Sequence, residues 1–293
     1  MFFGSECGSV EFLSKAAEYC ETSEFYSEYD KKIKNGERSA ASFAECLKEQ
    51  GFPELSSNDI LGIAYIRAIN RMGSELSPVT IQRSGAGYND INIYDGVLPS
   101  ATSLRKMIDE GRVDELSSFM PESMLRIIKQ EAAQERLTNT SEADSAVLSL
   151  FRLSREEIFD GVAESQGGIV NRLIRASRES TSVNELLERV GTKRYTDAKL
   201  RRAMLFCLTQ TKQHVLKEIP QYTTLLAANE KGRELLSKNR KRKGISVVTK
   251  PADAPRNSEQ FVLSERLDTY YAVSRKNKLT ADFFFQKNAY VVK

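Results

Sequence analysis

Gly4, in the turn Gly4-Ser5-Glu6, Asn58 and Arg83 are residues of the types that bind nucleotides and other anions. Gly4 follows Phe2-Phe3, and a glycine at a strand end lets a backbone approach a ligand closely because no Cβ obstructs it. An ordinary structural turn is the alternative reading. The Asn58 amide offers two donors and an acceptor, and the Arg83 guanidinium offers a fixed fork of donors suited to phosphate oxygens. Taken singly, Asn58 reads equally as a helix N-cap and Arg83 as a solvated strand end. Arg83 leads into Gly85-Ala86-Gly87, a Gly-x-Gly without a third helix-opening glycine or a following Gly-Lys-Ser/Thr. That run is therefore neither a dinucleotide fingerprint nor a P-loop.

A second chemistry lies further along. Between Gly191 and Lys250 the chain carries fifteen Lys and Arg against four Asp and Glu, so this stretch is +11 while the whole chain is +3. The front is the reverse, with twelve acidic and six basic residues between Met1 and Gly62. Such polarity points to a polyanionic partner, because neutralising phosphates releases condensed counterions and steers association. The cations cluster at Thr192-Lys193-Arg194-Tyr195-Thr196 with Lys199, Arg201 and Arg202, and again at Lys238 to Lys243. Tyr195 is a candidate stacking ring among them. A solvated helix end is the alternative for the second cluster.

Other chemistries are poorly served. His214 is the sole histidine, so no His cluster for a metal and no two-histidine motif can be assembled; no Ser-His-Asp set is recognised, and no metal site is assigned. It reads as a surface or helix-end residue. Cys7, Cys20, Cys46 and Cys207 form no Cys-x-x-Cys pair and read as reduced thiols. No apolar run reaches the roughly 20 residues of a membrane span, and Met1 to Val10 carries no secretory signal, so the expected location is the cytoplasm.

The elements that must position these groups alternate at the front. Helices are expected over Val10 to Cys20, Glu37 to Gln50 and Asn58 to Met72, the last capped by Ser57 or Asn58. The β-branched run Pro78 to Arg83 is an expected strand that feeds the glycine loop, and the C-terminal ends of strands are where open α/β sheets place ligands. From Ser100 the pattern is mainly helical: Ser103 to Glu110, Glu122 to Gln134, Ser145 to Arg152, Glu156 to Val162 and Ile169 to Ser177. Ser182 and Glu185 suggest a capping box, and Thr196 a cap for a basic helix over Asp197 to Leu208. Strands Tyr222 to Ala227 and Ile245 to Thr249 flank a helix from Asn229 to Arg240. A last helix runs from Glu259 to Ser274, and Lys276 to Lys293 is a tail or short strand pair.

In order along the chain, Phe3-Gly4-Ser5-Glu6, Ser57 to Tyr65, Ile81 to Asp90, Ser100 to Lys106, Thr192 to Thr196 and Asn229 to Leu236 resemble the bacterial tRNA(Met) cytidine acetate ligases. The resemblance implies an α/β fold at the front, an incomplete HUP-type, Rossmann-like nucleotidyltransferase domain over residues 1–98. It further implies a mainly helical tRNA-binding domain over 99–275 and a tail over 276–293. It implies ATP, with Mg2+, as the activator of acetate through acetyladenylate, and transfer of the acetyl group to N4 of the wobble cytidine of elongator tRNA(Met). Gly4 by backbone approach, Asn58 by hydrogen bonds and Arg83 at the phosphates are the implied nucleotide contacts. Lys193, Arg194, Arg201 and Arg202 are the implied contacts to the tRNA backbone. The catalytic residues stay unassigned.

Two departures qualify the resemblance. The family's His-x-Gly-His-like signature, which precedes the point matching Phe3, has no counterpart, and Gln166-Gly167-Gly168 stands where an acidic-glycine pattern is expected before Asn171-Arg172. Full activity is accordingly expected to need residues ahead of Met1. The alternative is a non-catalytic RNA- or tRNA-binding protein derived from the same family.

Overall fold

The computed structural model describes residues 1–35, 39–85, 98–192, 195–239, 244–283 and 288–292. Two compact units divide it, Met1–Lys129 and Gln130–Lys293.

In the first unit, strand β1 (Phe2–Ser5) lies parallel to β2 (Val79–Gln82), with Gly4 opposite Ile81 and Ser5 opposite Gln82. A parallel pair requires a crossover, and helices α1 (Val10–Tyr19), α2 (Ser23–Lys34), α3 (Ser39–Glu49) and α4 (Ser57–Arg71) supply it. Leu13, Ala16, Ala17 and Cys20 recur at helical spacing and are fully buried with Cys46, Leu47 and Ile63. Phe25 joins this core, its ring stacked on Tyr29 at 5.8 Å and edge-on to Phe43 at 5.4 Å.

Helix α4 packs on β1 through Gly62. A Cβ there would sit 2.7 Å from Phe3 Cε2 and 3.2 Å from Leu13 Cδ1, so glycine is what permits the approach. Gly62→Ala is expected to destabilise the first unit by about 1–3 kcal/mol, the usual cost of overpacking, read as a lowered urea midpoint with unchanged slope. Helix α5 (Ala101–Asp109), a 3₁₀ turn (Val113–Ser118) and α6 (Glu122–Ala133) close the region around Met107, Leu116 and Leu125.

The second unit is built on α7 (Asp144–Leu153), α8 (Ile169–Ser177), α9 (Val183–Val190) and α10 (Asp197–Thr209). Their apolar stripes meet in one core: Val147 and Phe151, Val170 and Leu173, Leu186 and Val190, Leu200 and Ala203. Two further small parallel sheets follow, β3 (Tyr222–Thr224) with β5 (Ser246–Val248), and β4 (Ala227–Ala228) with β6 (Tyr290–Val291). Helix α11 (Glu230–Asn239) runs between β4 and β5, and α12 (Glu259–Val273) is the last helix. The fold is thus mainly helical with small parallel sheets, and the α/β character of the front rests on one strand pair among the described residues.

Several local expectations are corrected. Helix α4 is capped by Ser56, in a full capping box with Asp59, because Ser57 already has its place in the first turn. Ser182 caps α9, but Glu185 accepts from Thr181 N at 2.8 Å instead of closing the box on Ser182. That backbone contact, and then Arg189, hold the Glu185 carboxyl down at about 2. Glu156 to Val162 forms only the 3₁₀ turn Glu156–Phe159, and the strand expected over Tyr222 to Ala227 is split into β3 and β4, which pair with different partners. Helix α2 was not expected at all.

Candidate functional site

The register of the first sheet brings the C-terminal ends of both strands to one place, since Arg83 N donates to Ser5 O at 2.9 Å just beyond the last paired residues. Glu6 follows β1, Arg83 follows β2, and the first turn of α4 supplies Ser56, Asn58 and Asp59. This is the strand-end position at which open α/β sheets receive ligands.

Glu6 ties the group together. Its Oε1 accepts from Asn58 Nδ2 at 2.6 Å and pairs with Arg83 Nε at 3.5 Å, while its Oε2 meets Ser56 Oγ. A Cβ on Gly4 would lie 3.2 Å from Arg83 Cγ, so the absence of a side chain there leaves room for the arginine stem. Gly4, Asn58 and Arg83, well separated in sequence, therefore fall within one cluster. Asn58 is not the α4 cap, and Arg83 is paired rather than simply solvated.

Asp59 forms the floor of the cluster. It is almost fully buried, with Oδ1 accepting from Cys7 N at 3.0 Å and Oδ2 from Ser56 N at 3.0 Å and Ser56 Oγ at 2.8 Å. Burial works to raise its carboxyl, but the Cys7 and Ser56 hydrogen bonds outweigh that and hold it below the usual carboxylate value. The tight turn after Glu6 is completed by Gly8 at φ +65°, where a Cβ would come within 2.9 Å of Gln82 Cβ. Gly85, at φ +115°, takes a conformation that L side chains rarely adopt. The rest of the expected glycine loop, from Ala86, lies outside the described residues.

In the second unit, Lys193 and Arg194 lie outside the described residues, as do Arg240 to Lys243 of the second basic cluster. Arg201 is on α10 and paired with Asp197 at 2.8 Å, and Arg202 meets Glu164 through two nitrogens, at 3.0 and 3.2 Å. Both pairs are exposed, and exposed pairs are worth only about 0–1 kcal/mol, so a phosphate can displace the carboxylates at little cost.

The stacking role expected of Tyr195 is overturned. Its side chain is only 5% exposed and its hydroxyl donates to Gly167 O at 2.5 Å, which leaves no face for a base. The ring instead carries cations, with the Arg172 guanidinium carbon 5.5 Å and Lys199 Nζ 5.6 Å from its centroid. Arg172 lies ahead of the basic stretch in sequence, and only the fold brings it to the same ring as Lys199.

His214 is exposed beside the 3₁₀ turn Val215–Lys217, its Nε2 against Glu259. All four cysteines are free, and burial pushes the Cys20 thiol up to about 11 and Cys207 up to about 12. Among the described residues no helix is long and apolar enough to cross a membrane.

Comparison with known proteins gives a consistent answer. The family described as HIGH Nucleotidyl Transferase matches residues 1–283. The tRNA(Met) cytidine acetate ligase of Fervidobacterium nodosum is 31% identical over 257 residues, covering 84% of this chain and 60% of that protein. The ligase of the same name from Thermoanaerobacter sp. (strain X514) is 27% identical over 299 residues, covering 97% of this chain and 73% of that protein. The crystal structure of apo Thermotoga maritima TmcAL superposes with a TM-score of 0.84 at 25% identity, over 99% of this chain and 76% of that one. A second structure of that protein, bound with alpha-thio ATP, gives a TM-score of 0.82 at 24% identity. The chain thus spans between 60% and 76% of the length of these relatives.

Proposed function

The chain belongs to the HIGH Nucleotidyl Transferase family, and from that membership we propose that it serves ATP-dependent acetylation of the wobble cytidine of elongator tRNA(Met). The observation that carries this reading is the convergence of Gly4, Asn58 and Arg83 on Glu6 at the ends of β1 and β2. The likeness to tRNA(Met) cytidine acetate ligases supports it, as does a related structure that holds an ATP analogue.

In the proposed reaction a carboxylate oxygen of acetate attacks the α-phosphorus of ATP, forming acetyladenylate and releasing pyrophosphate. N4 of the cytidine then attacks the acetyl carbonyl, AMP departs, and the amine loses a proton. Acetate is a poor electrophile until its oxygen is bonded to a good leaving group, so the site's task is to hold anions together and stabilise charge developing on phosphate. Gly4 allows the backbone to approach the nucleotide, Asn58 hydrogen-bonds it and Arg83 meets the phosphates. Mg2+ enters with those phosphates as part of the substrate.

In this reading residues 1–98 are the HUP-type nucleotidyltransferase part, 99–275 the tRNA-binding part and 276–293 a tail. That is a division by motif, whereas the boundary between the compact units along the chain falls within α6. Lys193, Arg194, Arg201 and Arg202 meet the tRNA backbone, and the setting is the cytoplasm.

The test is incubation of the purified chain with ATP, labelled acetate and a tRNA(Met) transcript. Pyrophosphate release and N4-acetylcytidine in the nuclease digest support the ligase. Salt-dependent tRNA binding without either product, from this chain and from one extended by residues ahead of Met1, supports the non-catalytic RNA-binding alternative instead. Pyrophosphate release with a different small acid would retain the nucleotidyltransferase and change its substrate. Replacing Lys193 and Arg194 together by alanine is expected to weaken tRNA binding and flatten the plot of log K against log salt by about 2, one phosphate contact for each cation lost. An unchanged slope removes both residues from the interface.

A further inference from the structure

Among the described residues, Glu6 is the one acidic side chain that touches both Asn58 and Arg83. Each of its oxygens is engaged: Oε1 by the Asn58 amide at 2.6 Å and the Arg83 Nε at 3.5 Å, Oε2 by Ser56 Oγ. Ser56 is itself fixed by the α4 capping box, so the carboxylate is anchored to the first turn of a helix. The Ser56 hydroxyl has one proton to share between Glu6 and Asp59, so the main hold on the carboxylate is the Asn58 amide at Oε1, with Ser56 assisting at Oε2.

Two consequences follow for the groups it holds. An asparagine amide can be flipped end for end with little steric cost, which exchanges its acceptor with its donors. A carboxylate accepts only, so Glu6 selects one sense: an N–H of Asn58 is committed to Glu6, and Oδ1 remains for a partner that donates. Arg83 meets Glu6 through Nε, the inner nitrogen, at 3.5 Å, a contact that leaves the outward fork of its guanidinium the part suited to an anion. Together these choices describe a ligand that presents a hydroxyl or amino group to Asn58 and phosphate oxygens to Arg83, which is the chemistry of a nucleotide.

We infer that Glu6 is a positioning residue of the nucleotide site, fixing the amide sense of Asn58 and the stem of Arg83 through its bridging carboxylate. This rests on the nucleotide-binding reading above and extends it to a residue that makes no contact with the reacting atoms. Gln at this position keeps an oxygen for Asn58 but gives up the ion pair, whereas Ala gives up both.

The experiment is ATP titration by calorimetry of the wild-type chain, Glu6→Gln, Glu6→Ala, Asn58→Ala and the Glu6→Ala/Asn58→Ala double variant, with each variant's melting temperature measured alongside. Glu6→Ala is expected to raise the Kd for ATP about tenfold, and Glu6→Gln to recover most of that loss, in line with the loss of a hydrogen bond to a charged group. The double variant is expected to fall short of additivity, because the part of the Glu6 effect that runs through Asn58 is already lost in Asn58→Ala and only the part that runs through Arg83 remains. Additive losses in the double variant, or a Glu6→Gln affinity equal to that of Glu6→Ala, would overturn the inference, since a merely structural role predicts both. Should Glu6→Ala fail to fold, Glu6→Met, which keeps the length of the side chain and removes its carboxylate acceptors, takes its place in the cycle under the same criteria. If the wild-type chain does not bind ATP, the nucleotide reading falls. The positioning role is then judged by the Asn58 side-chain amide resonances: a shift in Glu6→Gln retains it, and no shift overturns it.

Discussion

Arg83→Ala is expected to weaken ATP binding by roughly 30- to 150-fold, the range given by about 2–3 kcal/mol for a lost charge-assisted contact to phosphate. The selectivity of the loss matters more than its size. Arg83 lies beyond the last paired residue of β2, and its side chain is 47% exposed, so removing it leaves strand pairing intact. Its one ion pair among the described residues is the 3.5 Å contact to Glu6, which exposed-pair energetics put at little stability. The melting temperature should therefore barely move while ATP affinity falls. Adenosine, which carries no phosphate, should bind the variant and the wild type alike, and Arg83→Lys should recover only part of the loss because a point charge cannot reproduce the two-nitrogen fork. Calorimetry with both ligands decides it: equal losses for ATP and adenosine would remove Arg83 from the phosphates and return it to the solvated strand end.

What was legible in the sequence, and what was not, follows from the range over which each signal acts. Helices α1 and α8 and strand β2 are legible because their stripe or alternation and their stops are local, as with Ile169 to Ser177, whose expected and observed limits coincide. Helix α2 was unreadable for the opposite reason. Ser23–Lys34 is rich in Glu, Asp and Lys and buries only Phe25, so its place in the core depends on rings from α3 and the preceding segment. The site shows the same split. Gly4, Asn58 and Arg83 could be singled out by residue type, yet each had an equally good local explanation. The feature that joins them, Glu6, acts on residues more than fifty positions away and has no periodic signature. Tyr195 failed in the other direction: an aromatic among cations suggests a stacking platform, and only the fold reveals that its hydroxyl is spent on Gly167.

Phe151→Ala is expected to have the largest effect on stability, about 3–5 kcal/mol, the usual cost of emptying a buried aromatic site. Phe151 is fully buried at the centre of the α7–α10 core, its ring 5.7 Å from that of Phe159. The pocket it would leave is walled by helices whose own apolar stripes point into it, so little collapse is available to fill it. At that cost the melting temperature of a unit of this size should fall by about 10 °C or more. Leu153, two residues on, is 85% exposed, and Leu153→Ala should change stability by less than about 0.5 kcal/mol. The pair separates burial from hydrophobicity at nearly the same point of α7. It also bears on the basic face: Leu200, Ala203, Met204 and Cys207 anchor α10 in the same core, on the helix that carries Lys199, Arg201 and Arg202. Amide exchange should accordingly quicken in α7, α8 and α10 together in Phe151→Ala. Acceleration confined to α7 would mean that the four helices do not share one cooperative core, and that the cations of α10 are positioned independently of it.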